Sequence, residues 1–150
     1  MKNTKTIKLL TFSLALIGAM TFTSCKKYKG YNNMDVIDNT YSGNVIIEST
    51  GADPGGDFNG NGDTGEYSFA WENNNGKANA NFDISGSSGS VQMIIYDAKG
   101  KEVLNATRTN GSGEDSYSGV SEEGKKGVWK VSLMYTNFNG SGSFSVSPGN

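Results

Sequence analysis

Apolar and polar residues alternate with a period of two along most of the chain after residue 26, and this pattern limits the fold more than any other feature. Residues 66–72 show it most clearly, because Tyr67, Phe69 and Trp71 are separated by polar or small residues. Such alternation is typical of a strand with one buried face, since successive side chains point to opposite sides of a sheet. No stretch after residue 26 has the 3.6-residue period of a helix. The sequence therefore predicts an all-β protein.

About eight short strands are predicted, and the first lies around Val45 and Ile47. Residues 66–72 and 77–84 are expected to pair as one hairpin, and the turn 97–100 is expected to close a second hairpin. Segments rich in Gly, Asn and Asp, which tolerate positive φ, are predicted as a loop or turns at 51–65, 86–90 and 137–140. Short strands at even spacing, each polar on one side, favour an antiparallel β-sandwich of a jelly-roll-like type.

Aromatic residues that alternate in phase with apolar neighbours are predicted to lie in the core, and they include both tryptophans, Trp71 and Trp129. Sugar-binding sandwiches use exposed aromatic side chains that stack against sugar rings. The aromatic residues outside the strong strands are therefore the candidates for such a role. These are Tyr31, Phe58, Tyr117 and Phe138, which are spread along the chain.

The first 24 residues have the pattern of a secretory signal peptide. Lys2, Lys5 and Lys8 precede an apolar segment at 9–20, which is shorter than the roughly 20 residues that a membrane-spanning helix needs. Small residues then precede Cys25, the only cysteine of the chain. This order of basic, apolar and small residues predicts an exported protein rather than a transmembrane helix.

The residues Phe22-Thr23-Ser24-Cys25 resemble the lipobox of bacterial lipoproteins, although that motif usually has Leu at the position of Phe22. The resemblance implies cleavage before Cys25 and attachment of acyl chains to Cys25, which then anchor the protein to a membrane. Lys26 directly after the cysteine implies the outer membrane, and the periplasmic and external sides both stay open. An ordinary secretory signal with an incidental cysteine is the alternative.

The predicted organisation has three parts: a signal peptide at 1–24, a lipidated N-terminus and tether at 25–42, and a β-sandwich domain at 43–150. The last sixty residues are similar to the jelly-roll modules of the pre-peptidase C-terminal type. The shared features are two strands around an Asp-x-x-Gly turn, a Gly-x-Trp sequence and a final strand rich in Gly and Ser. This resemblance implies a fold and no site residues.

The chain has no histidine and one cysteine, which excludes Ser-His-Asp triads, Cys-His pairs, disulfide scaffolds and most zinc sites. Removal of residues 1–24 leaves ten basic and fifteen acidic residues, a net charge of −5 without a broad basic patch. That charge disfavours nucleic-acid binding. An enzyme would depend on carboxylates alone, and those available are Glu48, Glu66, Glu72, Asp83 and Asp97.

The segment 57–63 is a candidate calcium loop, because oxygen-bearing side chains stand at every second position and Gly62 occupies the place of the sharp turn. Its first half resembles an EF-hand-like loop, but Ser68 stands where a bidentate Glu belongs. A variant loop closed by Glu66 or Asp53 would supply the missing carboxylate. The alternative is a flexible loop whose residues simply favour turns. The predicted ligands are Asp57, Asn59, Asn61, Asp63 and Glu66.

These features predict a lipid-anchored, non-enzymatic lipoprotein of the cell envelope whose β-sandwich binds an unidentified ligand. Its expected partners are the membrane, through Cys25, and a glycan or an envelope protein. Calcium is the only cofactor that the sequence points to. Two alternatives stay open: a structural or adhesion accessory of the envelope, and a small carbohydrate-active enzyme.

Overall fold

The computed structural model describes residues 34–150, which form seven strands and contain no helix. Three of the strands are long, with 19, 20 and 23 residues, and the other four have five to eight. In chain order they are β1 (Met34–Asn39), β2 (Asn44–Ser49), β3 (Gly55–Asn73), β4 (Lys77–Tyr96), β5 (Glu102–Thr109), β6 (Ser116–Val120) and β7 (Gly127–Gly149).

All strand pairs are antiparallel, and the long strands take part in two layers. In each layer β7 lies at the centre between β3 and β4, and short strands form the two edges. Layer I consists of β1, β5 and the segments 65–73, 90–96 and 127–135. Layer II consists of β2, β6 and the segments 55–61, 77–86 and 138–149.

The two layers face each other because the long strands fold back on themselves. Phe69 of layer I and Phe144 of layer II have ring centroids 5.8 Å apart. Phe144 pairs in register with Gly56, which is thirteen residues from Phe69 along β3. A straight strand would separate these positions by about 43 Å, so the contact requires a bend. The predicted antiparallel β-sandwich is therefore confirmed, with seven strands instead of about eight.

Bulges make these bends. The strand register shifts in β3 between Asn61 and Gly65 and in β4 between Gly86 and Ser90. Positive φ values accompany the shifts at Gly62 (82°), Gly65 (147°), Gly89 (82°) and, on β7, Asn137 (45°). The predicted loop at 51–65 and the predicted turns at 86–90 and 137–140 were wrong, since the chain mostly continues as strand through all three. A bulge redirects a strand without reversing it. Bulges and turns use the same residue types, so the sequence did not distinguish them.

The predicted hairpin between 66–72 and 77–84 was also wrong. The short turn 74–76 carries the chain from layer I to layer II, so β7 rather than β4 becomes the neighbour of β3. Asn73 supports this crossing, because its side-chain amide donates to the carbonyl of Lys77 and its Oδ1 accepts from the N–H of Asn75. The hairpin of β4 and β5 through residues 97–100 is confirmed.

The space between the layers holds the aromatic core, including Trp71 and Trp129 as predicted, with their rings 6.1 Å apart. Phe58 and Phe138 were expected to be exposed, and this was wrong: they are 1% and 0% exposed. Both lie beside the bends and point inward, where their rings meet edge to face at 5.6 Å.

Strand β1 lies inside the segment 25–42 that was expected to be a tether, so residues 34–39 belong to layer I. Tyr31, the predicted signal peptide and the predicted acylation at Cys25 fall outside the described residues. Within 34–150, no helix is long and apolar enough to cross a membrane.

Candidate ligand-binding groove

The central strands of layer II present short polar side chains on its outer face, while exposed Ile46 and Val120 lie on the edge strands β2 and β6. Alternation along β3, β7 and β4 turns the apolar residues inward and leaves Asp, Asn and Ser facing outward. The register of the strands then places Asp57, Ser143, Asp83 and Ser116 in one row across β3, β7, β4 and β6. The next row contains Ser145, Asn81 and Ser118. Two adjacent polar rows on one sheet face form the floor of a groove.

The groove has a volume of about 630 Å³ and lies between the two edges of layer II. Glu48 and Ser49 line it from the end of β2, and Ser116 and Tyr117 line it from β6. Gly55 contributes to its depth: a Cβ atom there would lie 2.8 Å from the carbonyl oxygen of Phe144 and 3.3 Å from the Ser49 hydroxyl. A larger residue would therefore displace the neighbouring strand or narrow the groove.

Hydrogen bonds and ring contacts hold several of the lining side chains. The Ser143 hydroxyl donates to Oδ1 of Asp83. The Tyr117 ring packs against Phe82 at 5.7 Å, and the guanidinium carbon of Arg108 lies 5.3 Å from the centre of the same ring. Arg108 also donates to the carbonyl of Ser116. Tyr117, which was predicted as an exposed aromatic, is thus half-buried and fixed at the rim of the groove.

The five predicted calcium ligands are not brought together. Their segment is part of an extended strand, and Asp57 and Asn59 lie on the outer face of layer II. The carboxylate of Asp63 instead accepts from the N–H of Asn61 and from the Ser42 hydroxyl, each at 2.7 Å, and these bonds lower its pKa. Calcium binding here stays a prediction without geometric support.

Glu66, the expected closing ligand of that loop, is in layer I. Its Oε1 accepts from Nζ of Lys130 at 2.9 Å and from the Ser132 hydroxyl at 2.8 Å, and the Lys130 contact is the main reason that its pKa is lowered. Among residues 34–150, no three acidic, histidine or cysteine side chains stand close enough to hold a metal ion.

Two of the five carboxylates considered for catalysis, Glu48 and Asp83, line the groove, and Asp57 joins them. Asp97 is buried in the turn after β4, where it accepts three backbone N–H groups, and Glu66 is engaged by Lys130. The remaining one, Glu72, is exposed on β3 in layer I.

Asn81 and Ser143 were not predicted as lining residues, whereas Tyr117 was already a candidate because of its aromatic ring. The outward positions of 77–84 and 141–147 were interpreted as an ordinary solvent face. One signal was available: these positions carry mostly Asn and Ser, whereas solvent faces are usually rich in Lys and Glu. Short side chains leave a sheet face open to a ligand.

The chain was compared with known proteins by sequence and by structure. No protein-family model matches it, and no curated protein matches it. Among solved structures, a family 61 carbohydrate-binding module in complex with β-1,4-galactotriose is similar, with a TM-score of 0.43, 13% identity, and coverage of 72% of this chain and 89% of that chain.

Two further similar structures are of the same kind. A family 4 carbohydrate-binding module gives a TM-score of 0.43 at 10% identity, covering 70% of this chain and 78% of that chain. A family 11 module from Clostridium thermocellum, in complex with a β-1,3-1,4-mixed-linked tetrasaccharide, gives a TM-score of 0.36 at 14% identity. It covers 83% of this chain and 91% of that chain. At these TM-scores and identities the similarity assigns neither a family nor a ligand to this chain.

Proposed function

We propose that the mature chain is a lipid-anchored, non-enzymatic protein of the bacterial cell envelope whose β-sandwich binds a glycan in the groove of layer II. The observation that carries the proposal is the row of Asp57, Ser143 and Asp83 on the floor of an open groove. The anchor at Cys25 and the outer-membrane location rest on the lipobox resemblance.

The lining chemistry suits a polyhydroxylated ligand. Carboxylates accept hydrogen bonds from sugar hydroxyls, whereas the Asn81 amide and the serine hydroxyls both donate and accept. Hydrogen bonds to a carboxylate acceptor are stronger than those between neutral groups. Tyr117 lines the rim, but Phe82 and the Arg108 guanidinium group pack against its ring, so the polar groups of the floor carry the proposal. A groove between two sheet edges, unlike a closed pocket, admits an extended chain of sugar residues.

The exposure of the groove carboxylates favours binding over catalysis. A glycosidase needs one carboxyl group that stays protonated, which requires a neighbouring charge or an apolar environment. Asp57 and Asp83 are both exposed on the outer face of the sheet. A carbohydrate-active enzyme would be favoured instead if the protein hydrolysed a glycan and an Asp83→Asn change abolished that hydrolysis.

A structural role through edge-to-edge assembly receives less support. The four edge strands have only five to eight residues, and the pairings of β1, β2 and β5 contain register shifts. Short and irregular edges discourage the addition of strands from other molecules.

A glycan-binding panel tests the proposal. We expect the domain from residue 26 onward to bind at least one neutral oligosaccharide in isothermal titration, and Asn81→Ala to weaken that binding about tenfold, as expected for the loss of one or two hydrogen bonds. Thr107→Ala, an equally small change at an exposed position of layer I, is the matched control and should bind as the unmodified domain does. Absence of binding to every glycan, or an equal loss in both variants, would contradict the proposal.

A further inference from the structure

The groove of layer II carries negative charge only. Glu48, Asp57 and Asp83 line it, and all three are exposed. No Lys or Arg of the described chain is among the lining residues. The ion pairs within residues 34–150 involve Glu66, Glu114 and Glu122, so none of the groove carboxylates forms an ion pair with a Lys or Arg of that range.

Arg108, on the neighbouring strand β5, is held outside the groove. Its side chain lies over the Tyr117 ring, and it donates to the carbonyls of Ser116 and Thr107. Nη1 of Arg108 also lies 4.0 Å from Oε2 of Glu114, with which it forms an ion pair. The guanidinium group therefore contacts Tyr117, the carbonyls of Ser116 and Thr107, and Glu114, and it forms no ion pair with Glu48, Asp57 or Asp83.

The spacing of the carboxylates fits repeated contacts along a chain. Asp57 and Asp83 flank Ser143 on the two strands beside β7. Neighbouring strands lie about 4.8 Å apart, so the two aspartates stand on the order of 10 Å apart across the floor. Glu48 lies at the end of β2, on the side of the groove beside Asp57.

We infer that the groove selects glycans with free amino groups, such as polymers that contain unacetylated glucosamine, over neutral glycans, and that it excludes uronate-containing glycans. The inference rests on the proposed glycan-binding function. A protonated amine offers three donors, and its hydrogen bonds to carboxylates are charge-assisted. A uronate would instead place like charges together, and the net charge of −5 on the mature chain adds long-range repulsion.

Three hexasaccharides of similar length test the selection by isothermal titration at pH 6: a fully deacetylated glucosamine hexamer, its N-acetylated form and a galacturonate hexamer. We expect the deacetylated form to bind about tenfold more tightly than the acetylated form, and the galacturonate not to bind. The preference should decrease as salt is raised from about 0.02 to about 0.5 M, because salt screens exposed charges. The double change Asp57→Asn/Asp83→Asn should remove most of the preference.

The control is the double change Glu72→Gln/Glu102→Gln, which alters the net charge equally at exposed positions of layer I. It should keep the preference. An equal loss of preference in both double variants, each shown to be folded by its thermal transition, would overturn the inference. Equal binding of the acetylated and deacetylated forms would also overturn it while leaving the proposed function intact. Absence of binding to the three hexasaccharides and to every glycan of the neutral panel would contradict both the inference and the proposed function.

Discussion

At the residue scale, single polar side chains tie together segments that the sheet alone would leave loose. Asp97 accepts the backbone N–H groups of Lys99, Lys101 and Lys125 at 2.8, 2.9 and 2.8 Å, and so joins the β4–β5 turn to the loop before β7. The N–H of Lys125 makes the largest contribution to the lowered pKa of Asp97. The side chain of this residue therefore serves the structure rather than the catalytic role considered from the sequence.

Asp97→Asn should lower the thermal midpoint at neutral pH, because an amide retains only one acceptor oxygen for three donors. The pKa of Asp97 is depressed in the folded state, so its stabilisation is full above the unfolded value of about 3.9 and is lost as the pH falls through the folded value. The difference in midpoint between the two proteins should therefore shrink on acidification. Thermal unfolding from pH 7 to pH 3 checks this, and a difference independent of pH would contradict it.

At the element scale, the bends in β3, β4 and β7 determine the architecture, because they allow each of these strands to form part of both layers. Gly89 and Gly100 have nearly the same φ, 82° and 80°, but different surroundings. A Cβ atom at Gly89 would meet the backbone of Thr136 and Asn137 across the bend, whereas a Cβ atom at Gly100 would meet nothing within 4 Å. The pair separates the effect of a tight bend from the effect of φ alone.

Gly100→Ala should cost about 1–2 kcal/mol in the free energy of unfolding, which is the price of a left-handed conformation. Gly89→Ala should cost at least about 1 kcal/mol more, because the added methyl group also forces two backbones apart. Urea unfolding of both variants measures the difference. Equal costs would mean that the bend of β4 is not closely packed against β7.

The alternation of side chains correctly predicted Trp71 and Trp129 in the core, but it did not predict that Phe58 and Phe138, beside the bends, are buried as well. Alternation could not predict which strands pair with each other, because it shows only which side chains share a face of the sheet. The Gly- and Asn-rich segment around Gly62 has the composition of a loop, yet its positive φ serves a bulge. The groove was missed for the same reason: Asp57, Ser143 and Asp83 become a row only when β7 lies between β3 and β4.

At the scale of the whole molecule, the closed sandwich places an apolar core between the layers and a polar groove on the outside of layer II. In the proposed function, acyl chains on Cys25 hold this domain at a membrane. Several acyl chains are needed for a stable anchor, since each buried methylene contributes about 0.8 kcal/mol.

Cys25→Ser should therefore move the protein from the membrane fraction to the soluble fraction in a bacterium that processes lipoproteins, because serine cannot carry the thioether. Fractionation and mass spectrometry of the N-terminus check the result. Ser24→Ala, next to the modified residue, is the control and should leave the protein in the membrane. An unmodified thiol at Cys25 in the native protein would contradict the anchor.

A ¹H–¹⁵N NMR titration of the domain, with the oligosaccharide that binds most tightly in the glycan panel, shows whether the outer face of layer II is the ligand-binding surface. If the groove binds the ligand, the shifted amide signals should cluster at 55–57, 81–83, 116–117 and 143–145, which line the groove. Signals of layer I, such as those at 68–70 and 130–132, should stay in place. Shifts confined to layer I, or spread evenly over both layers, would contradict ligand binding in the groove.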